Sequence, residues 1–264
     1  MGEIQTRSFY SEKAGGDLSY SIYLPNKEGP SKNGKIVYLL HGLFGSSANW
    51  FDLTTIFDCG NDPGVTVVMP DAGDNWYTDR PGAMFETLIS EDLVGHAEGS
   101  GRQAAGRIIA GISMGGYGAL KIAFLHPERF ELAAAFSGAF HAASLNEHRS
   151  GDVTEIEPSI KDVFGNMSAA EIERNDLFRL VAKVDAAAAR LPKIYFDCGT
   201  DDSFIGVNRE FHQLLTENGI AHEFRERPGG HDWDYWDKNV GAFLRNAAAG
   251  RFDRPFRDRD QRKN

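Results

Sequence analysis

The chain is poor in the features that mark several broad protein classes. It has two cysteines, Cys59 and Cys198, far apart and in no metal-binding spacing. Neither a disulfide scaffold nor a cysteine-held metal is therefore expected, and reduced thiols fit a cytoplasmic location. Cys198 sits in an apolar run and is expected in the core. No apolar run reaches the roughly 20 residues that span a bilayer. The N-terminal Met1-Gly2-Glu3-Ile4-Gln5-Thr6-Arg7 has no apolar stretch of the kind a secretory leader needs, so none is expected. Excess positive charge is also missing. The 28 Lys and Arg against 38 Asp and Glu give a formal net charge of −10, opposite to the basic footprint of a nucleic-acid binder. His141 and His148 stand at no ligand spacing, and no phosphate-cradling glycine loop occurs, so no metal or cofactor is expected.

What is present reads as one large α/β domain over residues 1–264, a length sufficient for a substantial core. Residues 17–24 alternate with period two and end at Pro25. Apolar runs at 35–40, 65–70, 107–112, 131–137 and 193–198 predict strands covered on both faces. A weaker strand is expected at 222–226. Helical patterns lie between them, at 86–97, after residue 113, at 205–218 and at 235–248. Strands alternating with helices imply a mostly parallel central sheet with helices on both faces. Residues 140–190 break the rhythm. They are polar and helix-prone, and Ser168-Ala169-Ala170-Glu171 fits a capping box. This stretch is either a cap-like insertion over the sheet edge or a long crossover. The tail, 250–264, is dense in Arg and Asp and is expected to be solvated.

Gly111-Ile112-Ser113-Met114-Gly115 fits the G-x-S-x-G nucleophile elbow. A short apolar strand precedes it and an apolar helical pattern follows, which is the context the motif requires. Glycine at 111 and 115 permits the cramped turn, and Ser113 is raised at the positive end of a helix.

A serine hydroxyl needs a base, and the base an orienting acid. On this architecture they follow in the order Ser, Asp or Glu, His. Asp201 and Asp202 lie in Gly199-Thr200-Asp201-Asp202 after the fifth apolar run, and these residues do not separate the two. His231 follows the last strand, in Gly229-Gly230-His231-Asp232-Trp233. Backbone N–H groups of Met114 and of Leu43, in the loop after the strand 35–40, are the expected oxyanion donors. His41 is read as fixing that loop through hydrogen bonds. Trp76-Tyr77 either lines an acyl or aryl pocket or anchors its loop; Trp76 and Trp233 are the candidate substrate-contacting side chains.

The chain resembles the esterase D family of α/β-hydrolases, which includes S-formylglutathione hydrolases, tributyrin-type and feruloyl esterases and mycolyltransferases. The resemblance covers nearly the whole chain. It rests on His41-Gly42-Leu43-Phe44-Gly45, Pro70-Asp71 with Trp76-Tyr77, Gly111 to Leu120, Gly199-Thr200-Asp201-Asp202 and Gly230-His231-Asp232-Trp233. It implies an α/β-hydrolase fold with a helical insertion over the active site. It also implies a Ser113–His231–Asp202 triad, the acid falling on the second residue after Gly-Thr. The expected activity is hydrolysis of short-chain acyl, aryl or feruloyl esters through an acyl-enzyme. A thioesterase or acyltransferase with the same triad, or a non-catalytic binding module, are the alternatives. The formylglutathione branch carries a cysteine shortly after the oxyanion loop, where this chain has Phe44-Gly45-Ser46. The expected partner is a small-molecule ester, not nucleic acid or membrane, and homo-oligomerisation is left open.

Overall fold

In the computed structural model the described residues are 2–13, 15–25, 34–58, 60–99, 104–144, 155–184 and 190–252. Ten strands and nine α-helices are found among them. The strands are β1 (Glu3–Ser11), β2 (Gly16–Leu24), β3 (Lys35–Leu40), β4 (Thr66–Pro70), β5 (Asp79–Arg80), β6 (Ala83–Met84), β7 (Gly106–Ile112), β8 (Leu132–Phe136), β9 (Lys193–Gly199) and β10 (His222–Arg227). The helices are α1 (Asn49–Asp52), α2 (Phe85–Thr87), α3 (Val94–Glu98), α4 (Met114–Leu125), α5 (Glu157–Phe164), α6 (Ala169–Asn175), α7 (Leu177–Ala182), α8 (Ile205–Glu217) and α9 (Trp233–Ala248).

Eight strands form the main sheet in the order β1-β2-β4-β3-β7-β8-β9-β10; β5 and β6 form a small hairpin. The run from β4 to β10 is parallel, and β2 is antiparallel to both β1 and β4. This is the α/β-hydrolase fold expected.

The continuous apolar runs are explained by two cores. Along β3, Ile36, Tyr38 and Leu40 enter one core, and Val37 and Leu39 enter the other. Because side chains alternate, a strand covered on both faces is apolar at every position. Helices α4 and α8 cover the first face through Tyr117, Leu120, Phe211 and Leu215. Trp50 of α1 and Trp236, Val240, Phe243 and Leu244 of α9 cover the second. Helix α4 is buried from Met114 to Ala123, hence apolar nearly all round rather than on one stripe. Cys198 is fully buried in the first core.

Three features depart from the expectations. β1 was not anticipated. It is an edge strand, leaving Ile4 45% and Tyr10 64% exposed, so its sequence carries little of the alternation that marks a half-buried strand. The helix expected at 86–97 spans 85–98 but has a π-helical segment, Leu88–Leu93, between α2 and α3. Helix α9 begins at Trp233, capped by the Asp232 side chain accepting from the Tyr235 N–H.

Residues between β8 and β9 carry α5, α6 and α7, whose Ile160, Val163, Phe164, Leu177 and Val181 join the first core. Ser168 and Glu171 form the capping box that starts α6. Residues 145–154 and 185–189 of this stretch, Cys59, and the tail from 253 lie outside the described residues. No helix among the described residues is long and apolar enough to cross a membrane.

Candidate active site

The predicted site residues converge at the C-terminal edge of the parallel strands, where ligands of open α/β sheets bind. Ser113 follows β7, Asp202 follows β9, His231 follows β10 and Leu43 follows β3.

Ser113 has φ 52° and ψ −117°, a conformation that costs a non-glycine residue about 1–3 kcal/mol. It is held by hydrogen bonds on both sides: its N–H donates to Phe136 O (2.9 Å), and its carbonyl accepts from Tyr117 N (3.1 Å) and Ala139 N (3.3 Å). The flanking glycines are required by close approach. A Cβ on Gly111 would collide with the Gly115 carbonyl, and one on Gly115 with the carbonyls of Leu40 and His41.

His231 Nε2 lies 3.1 Å from Ser113 Oγ. Its Nδ1 lies 3.0 and 3.1 Å from the two oxygens of Asp202. The Gly229 carbonyl, which accepts from the Asp201 N–H, and the N-cap Asp232 hold the two sides of the loop that carries the ring. Asp202 is buried and Asp201 exposed, which separates two residues the sequence left equivalent. Asp201 contributes its backbone N–H to Gly229 O. Burial pushes the Asp202 carboxyl up. The hydrogen bond and charge of His231, with donors from the Ser137 hydroxyl and the Phe204 N–H, outweigh it and hold the carboxyl below its ordinary range.

The loop after β3 is tied down residue by residue. His41 is fully buried; its Nδ1 lies 2.7 Å from Gly42 O and its Nε2 accepts from the Ala72 N–H at 3.1 Å. Burial lowers its pKa, and these contacts fit a neutral ring with the proton on Nδ1. The Tyr77 hydroxyl donates to His41 O. Phe44, at φ 60°, donates its N–H to Asp74 Oδ1 at 2.7 Å. Ser47 N–H donates to Asp71 Oδ1 at 2.6 Å. A Cβ on Gly42 would sit 3.5 Å from Ser113 Cβ, so this loop lies against the nucleophile. Among the described residues, the N–H groups of Leu43 and Met114 donate to no protein acceptor, the state needed to receive a ligand oxygen.

The two tryptophans differ. Trp76, expected to contact substrate, is 1% exposed. It packs edge-on against Tyr117 and Phe164 and donates its indole N–H to Ser159 Oγ. That is the loop-anchor arrangement, because a ring enclosed by α4 and α5 presents almost no surface to a ligand. Trp233 is half-buried and stands edge-on to Trp50 and Trp236.

Two neighbours carry no sequence signal of their own: Trp236, whose ring stands edge-on to His231, and Ser137, whose Oγ accepts the Trp236 indole N–H. The Phe136-Ser137-Gly138 strand end lies on the same sheet edge as the elbow.

Residues 11–246 match the model of a family described as putative esterase. An acetyl esterase of Caldicellulosiruptor saccharolyticus is 27% identical over 250 residues, covering 88% of this chain and 93% of that protein. The esterase Rv1288 of Mycobacterium tuberculosis is 29% identical over 252 residues, 84% of this chain; the chain spans 54% of that protein's length. The fluorophosphonate-binding serine hydrolase FphF of Staphylococcus aureus superimposes with a TM-score of 0.79 at 25% identity, covering 94% of this chain and 98% of that one.

Proposed function

The chain belongs to this family of esterases, and from that premise we propose that Ser113, His231 and Asp202 form its catalytic triad. The enzyme is a serine carboxylesterase. The observation that carries the residue assignment is the unbroken hydrogen-bonded series Ser113 Oγ, His231 Nε2, His231 Nδ1, Asp202 carboxylate, with Ser113 in the strained elbow conformation.

In the reaction, Ser113 Oγ attacks the ester carbonyl carbon as its proton passes to His231 Nε2. Asp202 fixes the ring with its proton on Nδ1 and stabilises the cation that forms. The carbonyl oxygen gains negative charge and is received by the N–H groups of Leu43 and Met114. Losing one such donor costs about 3 kcal/mol of barrier. His231 returns the proton to the alkoxy oxygen as the C–O bond breaks, and the alcohol departs. Water then attacks the acyl-Ser113 carbonyl, His231 taking its proton and delivering it to Ser113 Oγ.

Small acyl groups are the proposed substrates, supported by the name of the acetyl esterase relative. Trp233 is the proposed substrate-contacting aromatic. The test is turnover of p-nitrophenyl acetate together with labelling by a fluorophosphonate. The expected result is labelling at Ser113, with activity lost in Ser113→Ala and His231→Ala. Wild-type turnover in either variant would overturn the assignment. A panel of acetyl, butyryl, feruloyl and S-formylglutathione substrates, compared by kcat/KM, ranks oxygen esters against thioesters.

A further inference from the structure

Strands β9 and β10 lead to the acid and the base of the triad, and backbone contacts lock their ends together. The Thr200 N–H donates to Arg227 O at 2.8 Å, and the Asp201 N–H to Gly229 O at 3.0 Å. A Cβ on Gly199 would collide with the Gly229 carbonyl. The turn that carries Asp202 therefore lies directly against the loop that carries His231.

Beneath this junction sits Asp197, fully buried on β9. Three side chains meet at its carboxylate. Tyr235 donates its hydroxyl to Oδ1 at 2.9 Å. Tyr195 donates its hydroxyl to Oδ2 at 2.7 Å, and Arg227 Nε lies 3.7 Å from the same oxygen. Arg227 ends β10, and Tyr235 lies in the first turn of α9. The segment that carries His231 is thus bracketed by two side chains that reach one buried carboxylate.

Tyr235 makes two further contacts to that segment. Its backbone N–H donates to Asp232 Oδ1 at 2.9 Å, on the far side of His231. Its ring lies against Gly229, on the near side. A Cβ on Gly229 would collide with the ring, and Gly229 has φ 139°, so the close approach needs glycine there.

We propose that Tyr235 and Asp197 are positioning residues for His231: the buried carboxylate anchors the Tyr235 hydroxyl, and the anchored tyrosine holds the loop on which the imidazole stands. The inference rests on the triad reading above. His231 has to meet Ser113 Oγ through Nε2 and Asp202 through Nδ1 at the same time, each near 3 Å. Loops move more than the elements they join, and Gly229-Gly230 brings no side chain of its own to pack. The rigidity is borrowed from the sheet. Asp197 is fixed in β9, and a hydroxyl bonded to a carboxylate forms a short hydrogen bond about twice as strong as one between neutral groups. Tyr195 is the natural comparison. It gives the same carboxylate the same kind of bond, but it lies on β9 beside Asp197, its ring packed against Phe136 and Phe243, and belongs neither to the His231 loop nor to α9.

The test compares Tyr235→Phe with Tyr195→Phe. Both remove one hydroxyl from Asp197 and keep the ring. Each is measured for kcat and KM on p-nitrophenyl acetate, for fluorophosphonate labelling rate, and for thermal midpoint to establish folding. Tyr235→Phe is expected to lose about 10–100-fold in kcat and in labelling rate, the size of effect that follows a misplacement of about 1 Å at the reacting groups. Its KM is expected to stay within about twofold, since only a transition-state interaction is lost. Tyr195→Phe is expected to keep kcat within about twofold. A role limited to the stability of the carboxylate would not distinguish the two. Wild-type kcat in a folded Tyr235→Phe, equal losses in both variants, or a loss confined to KM would each overturn the proposal. If Tyr235→Phe does not fold, Asp197→Asn decides on the same kcat and labelling criteria, full activity again overturning it. A wild-type enzyme that fluorophosphonate does not label would overturn the triad reading and this proposal with it. A labelled wild type with unaffected variants overturns this proposal alone.

Discussion

The Tyr117 hydroxyl donates to the backbone carbonyl of Asn175 at 2.7 Å, both groups buried. Tyr117 lies four residues after the nucleophile on α4, and Asn175 ends α6 between β8 and β9, so this bond ties the elbow helix to the helices above it. Lys121, one turn further along α4, is fully buried and donates to Thr78 Oγ1 and Asn175 Oδ1. Glu86 lies 3.5 Å from it and accepts from Arg174 of α6. Burial pulls the Lys121 ammonium down to about 8 despite Glu86. The Glu86 carboxyl is pushed up by burial but pulled down further by His126, Lys121 and Arg174, to about 2.

Removing the negative member of this cluster is expected to loosen the attachment of α6. Glu86→Gln leaves Lys121 and Arg174 without their nearest counter-charge, a change that costs about 3–5 kcal/mol when a buried pair is broken. The folded-state pKa of Glu86 is depressed, so its contribution is complete above the ordinary carboxyl value of 4.5 and is lost as pH falls toward about 2. Thermal midpoints of wild type and Glu86→Gln should therefore differ most at neutral pH and converge over that acid window. A constant difference across the range would show that charge is not the cause.

The two adjacent carboxylates after β9 should behave differently. Asp202→Asn is expected to lower kcat by about 10⁴-fold, as for the equivalent change in the serine protease triad, with the fold retained. Asp201→Asn should leave kcat within about twofold, because the Asp201 side chain is exposed and an exposed group away from the reacting atoms contributes little. Steady-state kinetics of both variants on one ester checks this directly.

How far these residues were legible follows from what each one needs. Strands buried on both faces announce themselves as apolar runs, and the elbow does so because only glycine fits the approaches at 111 and 115. His231 was legible from its order along the chain. Asp201 and Asp202 were separable only through the family resemblance, which picked Asp202, and not from their own pattern, because burial is decided by how the turn after β9 meets the His231 loop, and neighbouring identical residues carry no periodicity. Trp76 shows a different limit: an aromatic in a polar loop looks the same in sequence whether its ring meets ligand or the underside of α5. Ser137 was hidden because backbone strain and a hydrogen bond from a helix 99 positions away leave no local pattern.

Asp197 lies beneath this site and gives a pH prediction of opposite sign to Glu86. It is fully buried, accepts from the hydroxyls of Tyr195 (2.7 Å) and Tyr235 (2.9 Å), and lies 3.7 Å from Arg227. Burial outweighs these partners and raises its carboxyl from 3.8 to about 6. The folded state therefore holds the proton more tightly than the unfolded one. Stability falls as pH rises from about 4 to about 6, by up to about 3 kcal/mol at roughly 1.4 kcal/mol per pKa unit. Asp197→Asn should raise the thermal midpoint relative to wild type at pH 8 and have little effect at pH 4. A destabilised variant at pH 8 would show that the tyrosines and Arg227 stabilise the charged form.

The elbow itself offers a separation of stability from activity. Ser113 at φ 52° and ψ −117° occupies a region that glycine enters freely and other residues do not. Ser113→Ala removes the nucleophile and keeps the strain, since alanine retains the Cβ. Ser113→Gly removes both, at the cost of greater freedom in the unfolded chain. The relief of about 1–3 kcal/mol exceeds the glycine penalty of roughly 0.5–1 kcal/mol. Ser113→Gly should therefore be about 1 kcal/mol more stable than Ser113→Ala in urea or guanidinium titrations, with neither variant turning over ester. Equal midpoints would mean that contacts made by the Cβ in the elbow offset the strain. A more stable Ser113→Ala would remove backbone strain from the account of how the nucleophile is held.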